Sequence, residues 1–222
     1  MCFRSSITSI LLWAWLTPTT LAADRDPVEC KEGKDKNQII DACTRLIRKG
    51  DDLESAYFHR GLAYSRSHYD RAIADVTEAI RINPANGPLY SARGNVYKWK
   101  GDYARAIADF SEAIRVAPEE AKDGSYQNPR EALHFLLGYN LYERGIVYFA
   151  DAQLDRAIGD FTAALRHRMR PFLEAMVFEA RSKTYSAKGE VHNAIADHTE
   201  AMRLDPRVAT KDVFRIRPPG DQ

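Results

Sequence analysis

Apolar residues recur three and four positions apart along most of this chain, on both halves of a segment that is written four times. Each copy opens on an aromatic or aliphatic residue, then has a small residue three or four places on and a tyrosine three beyond that. The copies are Tyr57 to Tyr64, Tyr90 to Tyr97, Leu141 to Tyr148 and Phe178 to Tyr185. After a turn, each continues through an Ala-Ile pair: Ala72-Ile73, Ala106-Ile107, Ala157-Ile158 and Ala194-Ile195. The small-residue slots Gly61, Gly94, Gly145 and Ser182 lie 33, 51 and 37 residues apart, so the middle interval carries an insertion of about half a repeat. A period in the low thirties predicts stacked helix pairs, because a single pair cannot bury its apolar faces alone. Asn83-Pro84 and Asp205-Pro206 predict helix ends, since the residue before a proline avoids the helical region. Gly101-Asp102 and Gly189-Glu190 predict the tight turns between the two helices of a pair.

The pattern resembles the tetratricopeptide repeat family. The second copy matches that signature throughout, with Tyr90, Gly94, Tyr97, Gly101, Ala106, Phe110, Ala113 and Pro118. The other copies depart from it at single slots. Val76 stands for the large apolar residue in the first. Ala152 replaces the turn glycine and Met169 the closing proline in the third, with Pro171 two residues on. Ser182 and His198 fill the small and the large apolar slots in the fourth, and His198 is expected to sit in the core. The resemblance implies an all-α fold, a right-handed α-solenoid of helix-turn-helix units. The expected units span 54–86, 87–120, 138–171 and 175–208 within an array over 54–206, with an insertion at 121–137. The first helix of each unit would line a concave groove. The slots that match place Phe58, Leu62, Arg66, Ser91, Asn95, Lys98, Trp99, Tyr142, Ile146, Phe149, Glu179 and Lys183 there. Relatives that grip a C-terminal carboxylate use a lysine and an asparagine in the first unit. Phe58 and Leu62 occupy those slots here, which puts that mode in doubt.

A second pattern runs through the same units. An arginine precedes every small-slot residue: Arg60, Arg93, Arg144 and Arg181. An aspartate stands three residues after each Ala-Ile alanine: Asp75, Asp109, Asp160 and Asp197. In a helical hairpin the two slots face each other, which predicts four partly buried Arg–Asp pairs. The functional alternative is a stripe of arginines that binds anions.

Residues 1–23 read as a signal peptide. Arg4 is their one charge, Ile7 to Leu16 is an apolar run, and Thr20-Leu21-Ala22 offers a cleavage site. The run is shorter than the roughly 20 residues of a membrane span, which makes an uncleaved anchor the alternative. Cys30 and Cys43 then remain as an even number in an oxidising compartment, and a disulfide between them would pin a degenerate half-repeat at 24–53. Two cysteines are too few for a structural metal. Net charge is +1 for the whole chain, which argues against nucleic acid as partner.

Asn128-Pro129-Arg130-Glu131 predicts a helix start, and the third unit's first helix would be about two turns longer than its neighbours. Its apolar residues would pack on the neighbouring unit or form a docking surface. Residues 207–222 offer only a short cap or tail, with Val213, Phe214 and Ile216 as its apolar content, and an uncovered edge would favour self-association. The six histidines form no metal or catalytic pattern, and no phosphate loop or nucleophile elbow is present. These features describe a non-catalytic scaffold, exported to the periplasm, that holds a protein or peptide partner without a cofactor. The alternatives are a homo-oligomer joined through the long helix or the C-terminal edge, and a chaperone-like holder of apolar export substrates.

Overall fold

The computed structural model describes residues 25–120 and 127–210. The expected signal peptide at 1–23 and the apolar residues beyond 210 lie outside them. Ten α-helices follow one another: α1 (Asp26–Glu32), α2 (Lys36–Lys49), α3 (Leu53–Tyr64), α4 (Tyr69–Ile82), α5 (Gly87–Lys100), α6 (Tyr103–Glu120), α7 (Pro129–Ala150), α8 (Leu154–Ala164), α9 (Pro171–Lys188) and α10 (Val191–Leu204). A 3-10 turn at Pro206–Thr210 follows. Each helix packs chiefly on its neighbours in the chain, and no strand occurs among the described residues, so the fold is an all-α solenoid. No described helix is long and apolar enough to cross a membrane.

Within each pair the small slot sets how closely the helices approach. A Cβ on Gly61 would lie 2.8 Å from Val76 Cγ2, and one on Gly145 would lie 2.6 Å from Phe161 Cε1. In the last pair the slot holds Ser182, whose hydroxyl donates to the Ala194 carbonyl at 2.7 Å and so crosses the same gap. Phe110 and Phe161 fill the space between pairs and are fully buried.

The turns show how a glycine slot can be filled at a cost. Gly101 and Gly189 adopt the left-handed conformation with φ of 82° and 80°. Ala152, in the corresponding turn, is forced to φ 56°. It makes the same closing bonds, Ala152 N–H to Phe149 O at 3.1 Å and Gln153 N–H to Tyr148 O at 2.8 Å. A Cβ in this region costs on the order of 1 kcal/mol. Ala152→Gly is therefore expected to stabilise the protein by about 0.5–1 kcal/mol in urea unfolding. A loss of stability would refute that reading.

Two features depart from the expected punctuation. Pro118, in the closing slot of the second unit, does not end α6, which runs to Glu120. So near the helix end it forfeits only one ladder bond. His198, expected in the core, is half exposed, and its Nδ1 lies 2.7 Å from Glu179 Oε2. It sits on the outer side of α10, where Val191 and Ile195 are 59% and 60% exposed, because no further helix pair covers α10 among the described residues.

Helix α7 spans 22 residues, against 14 for α5. Asn128 caps it by accepting the Glu131 N–H at 3.3 Å. Its extra turns pack on the α8–α9 connection, where a Cβ on Gly138 would lie 2.7 Å from Met169 Sδ. His134 Nδ1 meets His167 Nδ1 at 3.3 Å in the same contact.

The N-terminal edge is closed by three ties. Cys30 and Cys43 are bridged, with their Cα atoms 4.8 Å apart. They lie in an apolar cluster with Ala42, Leu46 and Ala56. Asp26 is buried and accepts from Arg45 Nε at 2.8 Å and Lys49 Nζ at 2.9 Å. Burial alone would raise the Asp26 carboxyl, and the bonds from Lys49 and Arg45 hold it below its ordinary range.

Candidate protein-binding site

The four arginines face their aspartates across each helix pair. Arg60 donates to Asp75 through Nε and Nη2, both at 2.8 Å. Arg93 does the same to Asp109 at 2.9 and 2.8 Å, Arg144 to Asp160 at 2.7 and 2.9 Å, and Arg181 to Asp197 at 2.7 and 2.8 Å. Each pair is a fork on both carboxylate oxygens, the strongest geometry available to these groups. The bonds to aspartate raise Arg60, Arg93 and Arg144 above their ordinary value. Burial works against the charge of Arg181, and the bonds to Asp197 outweigh it.

The remaining terminal nitrogen of each arginine reaches back to the preceding unit. Nη1 of Arg60, Arg93, Arg144 and Arg181 donates to Thr44, Thr77, Ser111 and Thr162 at 3.0, 3.0, 2.9 and 2.9 Å. In the three later cases the hydroxyl stands two residues after the preceding unit's aspartate. Helix α2 keeps the hydroxyl, Thr44, but has Ala42 in the acid slot. The ladder therefore holds successive units together as well as the two helices within each. In each pair both carboxylate oxygens and the outer guanidinium nitrogen are engaged within the fold.

The expected groove residues divide into two groups. Tyr142 and Ile146 are 3% and 1% exposed and belong to the core around Phe161 and Val177, so they are not available to a partner. Lys98 is likewise buried, its ammonium 2.6 Å from Glu143 Oε2. Ser91 donates to Asn140 Oδ1 at 2.6 Å, and Asn95 reaches the Tyr139 hydroxyl at 3.5 Å. Together these form a polar seam that joins α5 to α7. Residues that the repeat pattern assigns to a partner are thus spent on contacts between α5 and α7. Glu179 is also buried, between His198 and Lys183. Sequence reasoning missed Asn140 and Glu143, whose only signal is a polar residue within an otherwise apolar helix.

The second group stays at the surface. Leu62 is 41% exposed on α3. The Arg66 guanidinium lies 5.5 Å over the Trp99 ring and links the surfaces of α3 and α5. Phe58, Phe149 and Lys183 are partly exposed. Among the described residues no group of histidine, cysteine and carboxylate side chains is arranged to hold a metal.

Known proteins place this architecture. A family profile described as "Tetratricopeptide repeat" matches residues 87–120. A solved structure titled "Crystal structure of MamA protein" superposes with a TM-score of 0.64 at 16% identity, over 87% of this chain and 95% of that one. Similar structures of MamA AMB-1 and MamA MSR-1 give TM-scores of 0.60 and 0.59 at 21% and 20% identity. They cover 84% and 85% of this chain and 91% and 97% of theirs. At these identities the likeness is one of fold. No curated protein sequence matches the chain. Residues 87–120 thus match a tetratricopeptide repeat, and the helix pairs around them share its close-approach slots within one all-α solenoid.

Proposed function

We propose that this protein is a non-catalytic scaffold that takes a helix or an extended peptide of a partner protein along the first helices of its units. The observation that carries this reading is the exposed Leu62 on α3 together with the Arg66–Trp99 stack that leads from α3 to α5. An apolar anchor beside a cation–aromatic pair is the kind of surface on which binding energy concentrates. An oxidising compartment fits the buried Cys30–Cys43 bridge and the leader-like composition of residues 1–23.

Leu62→Asp and Trp99→Ala together should reduce capture of the bound partner at least about tenfold, with an unchanged circular dichroism spectrum and melting temperature. An identical set of captured proteins would refute this surface. A second reading is self-assembly through the C-terminal edge, favoured by the exposure of Val191 and Ile195. It would predict concentration-dependent association in sedimentation, insensitive to Leu62 and abolished by Ile195→Asp.

A further inference from the structure

A cleft lies away from that surface. It measures about 960 Å³ and opens between the first turns of α7 and the connection from α8 to α9. Four arginines line it: Arg130 from α7, and Arg166, Arg168 and Arg170 from the connection. All four are exposed, and none forms an ion pair or a side-chain hydrogen bond among the described residues. This sets them apart from the ladder arginines, each of which is committed to an aspartate. Glu131 is the one carboxylate in the described lining. The N-termini of α7 and α9, at Pro129 and Pro171, open beside the cleft and add to the positive potential there.

The cleft is not purely polar. Phe135 is 48% exposed and stacks on Tyr139, with ring centroids 6.0 Å apart and planes at 15°. Met169 lines it as well. A cationic rim around an apolar patch selects for an anion attached to an apolar group. Guanidinium forks suit carboxylates, and a ring and a thioether suit an aromatic or aliphatic side chain. With a net charge of +1 the chain carries no overall basic excess of the kind that favours nucleic acid.

We infer that this cleft binds an acidic peptide segment of a protein partner, its carboxylates on Arg130, Arg166, Arg168 and Arg170 and an apolar side chain against Phe135 and Met169. This site is separate from the surface around Leu62, so one chain can hold two segments.

The test is fluorescence anisotropy on the full chain with a labelled short peptide of glutamates around a central phenylalanine. Binding should weaken with added salt and at least about tenfold in Arg166→Glu/Arg170→Glu. It should be unaffected by Leu62→Asp, which separates this site from the scaffold surface. Replacing the probe's phenylalanine by serine should also weaken it. Arg130→Gln/Arg168→Gln supplies a second variant if charge reversal disturbs folding. Equal binding to wild type and both variants would overturn the proposal. So would equal or tighter binding of oligothymidylate or anionic vesicles at the same residues, since the cleft would then be a general polyanion site.

Discussion

Replacing Asp109 by alanine is expected to lower the unfolding free energy by about 3 kcal/mol, the lower end of what a broken buried ion pair costs. Arg93 and Asp109 have side chains only 18% and 7% exposed, so the guanidinium left behind cannot fully rehydrate. Its remaining bond, Nη1 to Thr77 at 3.0 Å, holds it in place and keeps it from swinging into water. Two controls separate the pair's energy from the cost of the orphan. Thr77→Val removes one neutral acceptor and should cost about 1 kcal/mol. The double variant Arg93→Met/Asp109→Leu replaces both charges and should recover most of the loss, since desolvating the pair nearly offsets its attraction. Chemical denaturation of the three variants decides the matter. A loss below about 0.5 kcal/mol for Asp109→Ala would show that the ladder is solvated and does not hold the stack together.

Reducing the Cys30–Cys43 bridge, or replacing both cysteines by serine, is expected to cost about 3 kcal/mol, the loop-closure value for a loop of this size. The sequence separation is 13 residues, and both sulfurs lie in the apolar cluster that seats α1 on α2 and α3. The bridge is not alone in this. Arg45 and Lys49 grip the buried Asp26, so α1 remains docked part of the time after reduction. The earliest effect should appear in hydrogen exchange of residues 26–32, ahead of global unfolding. An unchanged denaturation midpoint under reducing conditions would show that α1 is dispensable to the stack.

These two predictions rest on features of different origin. The hairpin register is local. Once two helices are joined by a short turn, residues 15 or 16 positions apart are brought face to face, as Arg60 is with Asp75 and Arg93 with Asp109. The close approach at Gly61, Gly94 and Gly145 is local for the same reason. Contacts between units are not. The seam of Lys98 with Glu143 joins residues 45 apart across an insertion that occurs in one unit only. No periodic rule places such a pair.

Burial likewise depends on the neighbour and not on the residue. Tyr142 and Ile146 occupy slots that face a groove in the repeat pattern, yet α7 meets enough of its surroundings to cover both. His198 occupies a core slot and stays half exposed, because among the described residues only a 3-10 turn follows α10.

The sequence by itself determined the helix pairs, their turns and the facing of each arginine and aspartate, because those follow from spacing within a unit of about 34 residues. Only the tertiary structure decided which first-helix residues remain open, that each arginine also ties its unit to the hydroxyl of the one before, and that four arginines with no ion pair among the described residues meet at one cleft. Those outcomes depend on how successive units and one irregular insertion stack, and the free energy of stacking is set by contacts that no single repeat contains.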